Sequence, residues 1–263
     1  MDIEKVKALI RTKKGFISDM DGVIYHGDTL LPGVKDFVRW LKKEKKHFLF
    51  LTNSSERTPR ELQEKLHRLG IDVDRNVFYT SALATAQFLS SQKPHGTAFI
   101  IGEAGLINAM YNVGYTMNNI DPDYVVVGDT RNYSYEKLEQ AVNLVLKGAK
   151  LIGTNPDVSG PVEKGIAPST KALIAPIELA TGRQAYFVGK PNPLMMRIAL
   201  KKLGVPPEET IIIGDRMDTD VIAGIESEID TLLVLSGIST QETIREFPYL
   251  PKFVLKGVGE IVS

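Results

Sequence analysis

The chain has 263 residues, no cysteine, and 32 basic against 32 acidic side chains, so its formal net charge is zero. The missing cysteines exclude a disulfide framework, a thiolate zinc site and a cysteine nucleophile. The charge balance argues against a nucleic-acid polymer or a polybasic membrane surface as partner. No apolar run approaches the ~20 residues of a bilayer span, and residues 1–14 lack a signal-peptide core, so a soluble, cytoplasmic protein of one or two domains is expected.

In chain order, an apolar run at residues 16–18 predicts the first strand, and a helix follows at 34–45 with apolar side chains every three or four positions. A strand at 48–51 precedes a helix at 59–69. Pro59 behind Thr58 suits a first helical turn, and Gly70 suits the position just past the end. Runs at 98–101, 124–127 and 150–152 predict three more strands. Glycine and proline are dense over 148–168, which reads as long functional loops. A strand at 186–188, a helix at 193–203 opened by Asn192-Pro193 and closed by Gly204, and strands at 210–213 and 231–235 complete the pattern. Continuously apolar runs belong to strands buried on both faces. Strand alternating with helix gives an α/β fold with a parallel sheet and right-handed crossovers.

Ligands of open α/β sheets bind beyond the carboxyl ends of the strands. The first run leads into Asp19-Met20-Asp21-Gly22, whose two carboxylates, two residues apart on an extended segment, face the same way. The second leads into Thr52-Asn53-Ser54-Ser55, hydroxyl and amide groups suited to phosphate oxygens. The run at 186–188 leads to Gly189-Lys190-Pro191, and the run at 210–213 to Gly214-Asp215-Arg216-Met217-Asp218-Thr219-Asp220. Each segment alone also reads as a turn, a helix cap or a solvated lysine. All four together, in the order acid, hydroxyl, lysine, acid, favour one site. His26, His47, His67 and His95 are scattered and read as surface or packing residues. Calcium-loop, Walker-type, dinucleotide, zincin and nucleophile-elbow patterns all fail on their required residues.

Carboxylates without histidine or cysteine partners favour a hard cation, magnesium above all. A magnesium ion beside a lysine and a hydroxyl suits a phosphoryl group. One carboxylate can attack phosphorus and a second can move the proton.

At these residues the sequence resembles the haloacid dehalogenase-like superfamily, specifically the class IIA phosphatases of NagD type. Residues 77–82, Gly153-Thr154-Asn155-Pro156-Asp157, Val188-Gly189-Lys190-Pro191 and 233–237 also look like family segments. The resemblance implies a Rossmann-like three-layer core, residues 1–80 and 184–263, interrupted by an inserted α/β cap at 81–183. It implies a phosphatase of small phosphate monoesters, nucleoside monophosphates among them, with Asp19 as nucleophile and Asp21 as general acid/base. Magnesium would be held by Asp19, Asp215 and the Asp21 carbonyl, with Asp220 orienting its waters or Lys190. Thr52, Asn53 and Ser54 would receive the phosphoryl with Lys190, while Asn155, Asp157 and Lys171 would be the substrate contacts of the cap. Asp218 has no implied role. Monomers and larger assemblies both occur in the family, so an oligomer is compatible.

Two positions depart from the family pattern. Lys171 stands where relatives often have glycine, and Glu228 follows Ser227 where a small residue and glycine usually end the helix. Glu228 lacks glycine's ease at positive φ, which would cost ~1 kcal/mol if that geometry persists, so the expectation leaves this helix end open. A phosphotransferase, a dehalogenase, a phosphoryl-accepting signalling receiver and a catalytically silent binding protein of the same fold are the competing readings. Dehalogenases need no metal and receivers lack both the length and the Asp19-x-Asp21 pair.

Overall fold

The computed structural model describes residues 2–162 and 165–263. In chain order its strands are β1 (Gly15–Ser18), β2 (Tyr25–His26), β3 (Thr29–Leu30), β4 (His47–Thr52), β5 (Phe78–Thr80), β6 (Thr97–Ile101), β7 (Thr116–Met117) and β8 (Tyr124–Val127). They continue with β9 (Lys150–Gly153), β10 (Ser159–Val162), β11 (Gly165–Pro168), β12 (Tyr186–Phe187), β13 (Thr210–Gly214), β14 (Asp230–Val234) and β15 (Phe253–Leu255). The chain divides into two compact units, Met1–Thr52 with Gln63–Tyr79 and Lys190–Ser263, and Asn53–Leu62 with Thr80–Gly189.

The first unit is built on a six-stranded sheet in the order β15-β14-β13-β1-β4-β5. Every position of β1 and β13 is buried, the outcome that continuous apolar runs dictate for strands covered on both faces. β1 pairs in parallel with β13 on one side and β4 on the other, with Ser18 beside Ile213 and Phe50. Strand order reverses at β1. A crevice opens at such a reversal beyond the carboxyl ends of the strands.

The helix Val34–Lys43 buries Val34, Phe37, Val38 and Leu41 at steps of three and four and carries Lys42 and Lys43 in its last turn, where cations suit the helix dipole. Phe16 of β1 meets the Trp40 ring edge-on at 5.5 Å and that of Phe37 at 6.3 Å. Truncating Phe37 to alanine would cost about 3–5 kcal/mol by emptying this contact. The helix Pro193–Leu203 opens as expected, with Asn192 accepting from the Leu194 amide and Pro193 in the first turn, and Gly204 closes it at φ 72°. Past the helix Ile222–Glu226, Glu228 sits at φ 58°, so the positive-φ geometry persists without a glycine.

The second unit is built on a five-stranded sheet in the order β12-β9-β8-β6-β7, with parallel pairing throughout. Phe99, Ile101, Val125, Val127 and Leu151 of that sheet pack with Leu144 and Val145, and with Leu173, Ile174 and Ile177 of the helix Thr170–Thr181. The segment expected as long loops departs from expectation. β10 and β11 form an antiparallel ladder there, Ser159 facing Pro168 and Val162 facing Gly165. Glycine and proline had hidden the alternation that normally announces such a pair. Among the described residues no helix is long and apolar enough to cross a membrane.

Candidate active site

The first unit holds six of the expected residues, Asp19, Asp21, Thr52, Lys190, Asp215 and Asp220. Asp19 lies one residue past the Ser18–Ile213–Phe50 row, and its amide donates to the Ile213 carbonyl at 2.8 Å. Lys190 is almost wholly buried. Its ammonium donates to Oδ1 of Asp19 at 2.7 Å and Oδ1 of Asp220 at 2.6 Å, with the Leu51 carbonyl at 3.4 Å. Thr52, the last residue of β4, is buried, whereas Asp21 is exposed and bridges to Tyr25.

Asp215 follows β13 and is also buried; its Oδ2 accepts from the Ile238 amide at 2.8 Å. Gly22 and Gly237 enclose this carboxylate. A Cβ at Gly22 would lie 2.4 Å, and one at Gly237 2.0 Å, from Oδ2 of Asp215, so neither position tolerates a side chain without moving the acid. Ser236 ties the two loops by donating to the Gly22 carbonyl at 2.7 Å. The chain then makes one wide helical turn, Met217–Val221, which turns Asp220 inward. Oδ2 of Asp220 accepts from the Arg216 amide at 3.2 Å. Asp218 points away and takes the Arg216 guanidinium in a two-point contact at 3.0 and 2.8 Å.

Asp19, Asp215 and Asp220 each offer an oxygen within 4.8 Å of the others. Burial holds Asp19 well above the ordinary carboxylate range; Lys190 pulls it down, and Asp220 and Asp215 push it up. Burial, then the Asp220 charge, pushes Asp215 up to about 7. Burial acts to lower Lys190, but Asp19 and Asp220 outweigh it and its pKa is raised, so the ammonium stays charged. Crowded, buried carboxylates with oxygen-only donors fit a small divalent cation, which would neutralise them. Because both Asp220 oxygens already accept from Lys190 and Arg216, Asp19 and Asp215 are the better placed to ligate.

The remaining expected residues fall in the second unit. The Asn53 amide donates to Oδ2 of Asp157 at 2.9 Å, and the Asn155 amide donates to the same oxygen at 2.8 Å. Ser54 is half-buried, and Lys171 is exposed in the first turn of the helix Thr170–Thr181. One residue not singled out from the sequence, Asp129, joins this network. The Asp129 amide donates to Oγ of Ser55 at 2.9 Å, and Oδ1 of Asp129 accepts from Ser169 and from Thr170. The signal for Asp129 was present: Val125-Val126-Val127-Gly128-Asp129 repeats the strand-glycine-acid pattern of Ile211-Ile212-Ile213-Gly214-Asp215.

With this geometry in hand, comparison with known proteins is decisive. Residues 16–116 match the family model described as haloacid dehalogenase-like hydrolase, and residues 187–261 match a second model of the same kind. The chain belongs to the haloacid dehalogenase-like hydrolases. Within them it is NagD-like, of class IIA. This hydrolase is 44% identical to a dihydroxyacetone phosphatase of Corynebacterium glutamicum over 94% of its own length and 90% of that protein's. It is 39% identical to the ribonucleotide monophosphatase NagD of Escherichia coli over 95% and 98% of the two chains. Among solved structures, a 4-nitrophenylphosphatase from Thermotoga maritima superposes with a TM-score of 0.92 at 35% identity, covering 97% of this chain and 98% of that one.

Proposed function

We propose that this hydrolase is a magnesium-dependent phosphatase of small phosphate monoesters, nucleoside monophosphates among them, acting through an aspartyl-phosphate on Asp19. The observation that carries the proposal is the buried Lys190 ammonium held between Asp19 and Asp220 with Asp215 alongside. A lysine so held keeps its charge for the phosphoryl oxygens and fixes the carboxylate that attacks. The three relatives named above are all phosphatases, which supports the same reading.

In this mechanism a carboxylate oxygen of Asp19 bonds to phosphorus as the bond to the leaving oxygen breaks. Asp21, exposed beside the crevice, gives its proton to that oxygen. Asp21 then takes a proton from the water that attacks the aspartyl-phosphate, releasing inorganic phosphate and restoring Asp19. Thr52, Asn53 and Ser54 are the proposed contacts of the phosphoryl group. Asp19, Asp215 and the Asp21 carbonyl would hold magnesium, whose charge would stabilise the phosphoryl oxygens. Asn155, Asp157 and Lys171 are the proposed determinants of leaving-group choice. The second unit corresponds in this reading to the cap, and the proposed location is the cytoplasm.

The test is phosphate release from a panel of esters, with magnesium or chelator, for wild type and Asp19→Asn. Turnover should require magnesium and vanish in the variant. Metal-independent turnover or an active D19N enzyme would sink the mechanism, and binding without turnover would favour a silent protein of the same fold.

A further inference from the structure

Asp129 is a half-buried carboxylate with no role in the chemistry above. It lies just past β8, and among the described residues no cation balances it at hydrogen-bonding distance. Those partners all come from one place. Oδ1 accepts from Oγ of Ser169 at 2.5 Å, from the Thr170 amide at 3.0 Å and from Oγ1 of Thr170 at 3.0 Å. Ser169 occupies the cap position of the helix Thr170–Thr181 but makes no cap bond with its own side chain. Asp129 therefore caps this helix from another strand's loop. A negative charge suits a helix N-terminus, whose first amides lack partners within the helix.

The next amide is also held. Lys171 donates through its backbone to the Asp157 carbonyl at 3.0 Å, and Asp157 accepts from Asn155 and Asn53 through its side chain. Asn155 in turn reaches Ser169 at 3.3 Å and Thr170 at 2.7 Å. The loops after β8 and β9 thus grip the two residues that start the helix. Lys171 projects from a backbone that its neighbours fix, while its own side chain stays exposed. Burial raises the Asp129 carboxyl, and the Ser169 and Thr170 bonds pull it back. A half-buried acid whose side chain bonds only to one helix start serves the geometry of that turn.

We propose that Asp129 is a positioning residue for leaving-group recognition, fixing the first turn of the helix Thr170–Thr181 so that the Lys171 ammonium meets an anionic group on the leaving alcohol. The inference rests on the phosphatase reading above. Among the small monoesters of that reading, the ones this contact favours are those whose leaving alcohol carries a negative charge of its own. A point charge on a flexible stem discriminates only if its backbone is held.

Glycerol 3-phosphate and 3-phosphoglycerate, which differ by one leaving-group carboxylate, supply the test. The ratio of their kcat/KM values is measured for wild type, D129A, D129N, K171A and the D129A/K171A double variant. Lys171→Ala should lower the preference for the carboxylated ester by about tenfold, the scale of one charged contact. Asp129→Ala should lower it similarly, the double variant should lose no more than either, and Asp129→Asn, which keeps the Oδ1 acceptor, should restore most of it. Amide exchange at Thr170 and Lys171 should quicken in D129A. An unchanged ratio in K171A or D129A, or strictly additive losses, would overturn the inference while turnover itself survives. Wild type inactive on every ester overturns the phosphatase reading and this one together. Ser169→Ala, which removes one donor to Asp129, is the second variant should D129A not fold; it should shift the ratio the same way, and no shift counts against the proposal.

Discussion

The Lys190 ammonium and the Asp19 carboxylate, 171 positions apart in sequence, meet at 2.7 Å in a pocket where the lysine side chain is 2% exposed. Asp220 completes the pairing at 2.6 Å. Removing one partner of such a buried group leaves the others uncompensated, which is costlier than never having built the pair.

Lys190→Met should therefore weaken both the fold and the reaction. Turnover should fall by about two to three orders of magnitude, and stability by about 3–5 kcal/mol. Activity at saturating magnesium and a denaturant melt check the two effects separately. A K190M enzyme with wild-type turnover would remove the lysine from the chemistry.

Gly237→Ala tests the enclosure of Asp215. The added methyl would sit 2.0 Å from Oδ2 of that acid, so the carboxylate must turn. The magnesium concentration for half-maximal activity should rise by about tenfold or more, as when the support of a metal ligand is disturbed. An unaltered magnesium titration would mean that Asp215 is not a ligand.

Glu228→Gly should stabilise the protein. Glutamate at φ 58° is strained where glycine is not, and relief is worth about 1 kcal/mol, or a rise of about 2–4 °C in Tm for a chain of this size. A lower midpoint would show that the glutamate side chain has a compensating contact.

Asp129→Asn gives a pH signature. The carboxyl is raised in the folded state above its ordinary 3.8 by burial, so the acid contributes most below the unfolded value and loses that contribution as pH rises through the folded one. The stability of wild type relative to D129N should thus increase as pH falls from neutral toward 4. A constant difference across that range would mean that the acid titrates normally.

The gathering of Asp19, Lys190 and Asp215 in the first unit was legible because it follows from a local rule. An apolar run that ends in Asp19, Lys190 or Asp215 announces where a strand stops and what it delivers. The same rule applied to Val127-Gly128-Asp129 finds a further acid, but what that acid does depends on Ser169 and Thr170, some 40 positions on. Such a partner leaves no mark in local periodicity. The Asn53 amide is a like case: its chemistry suits phosphate, and its bond to Asp157 spans 104 positions. β10 and β11 were hidden for the opposite reason, since glycine and proline at Gly160, Gly165 and Pro168 erase the alternation of a half-buried pair. The strain at Glu228 was visible because a helix end needs a particular backbone angle whatever surrounds it.

The position of β1 between β4 and β13 has a consequence for how the protein is born. A ribosome delivers β1 and β4 early, but β13 only after some 200 residues have emerged. Through most of synthesis β1 carries an open edge of unpaired amides and carbonyls, the kind that invites another chain. The second unit, nearly one continuous stretch of sequence, can condense during that interval. Chaperone dependence and aggregation of nascent chains should therefore track the arrival of residues 210–214 at the tunnel exit.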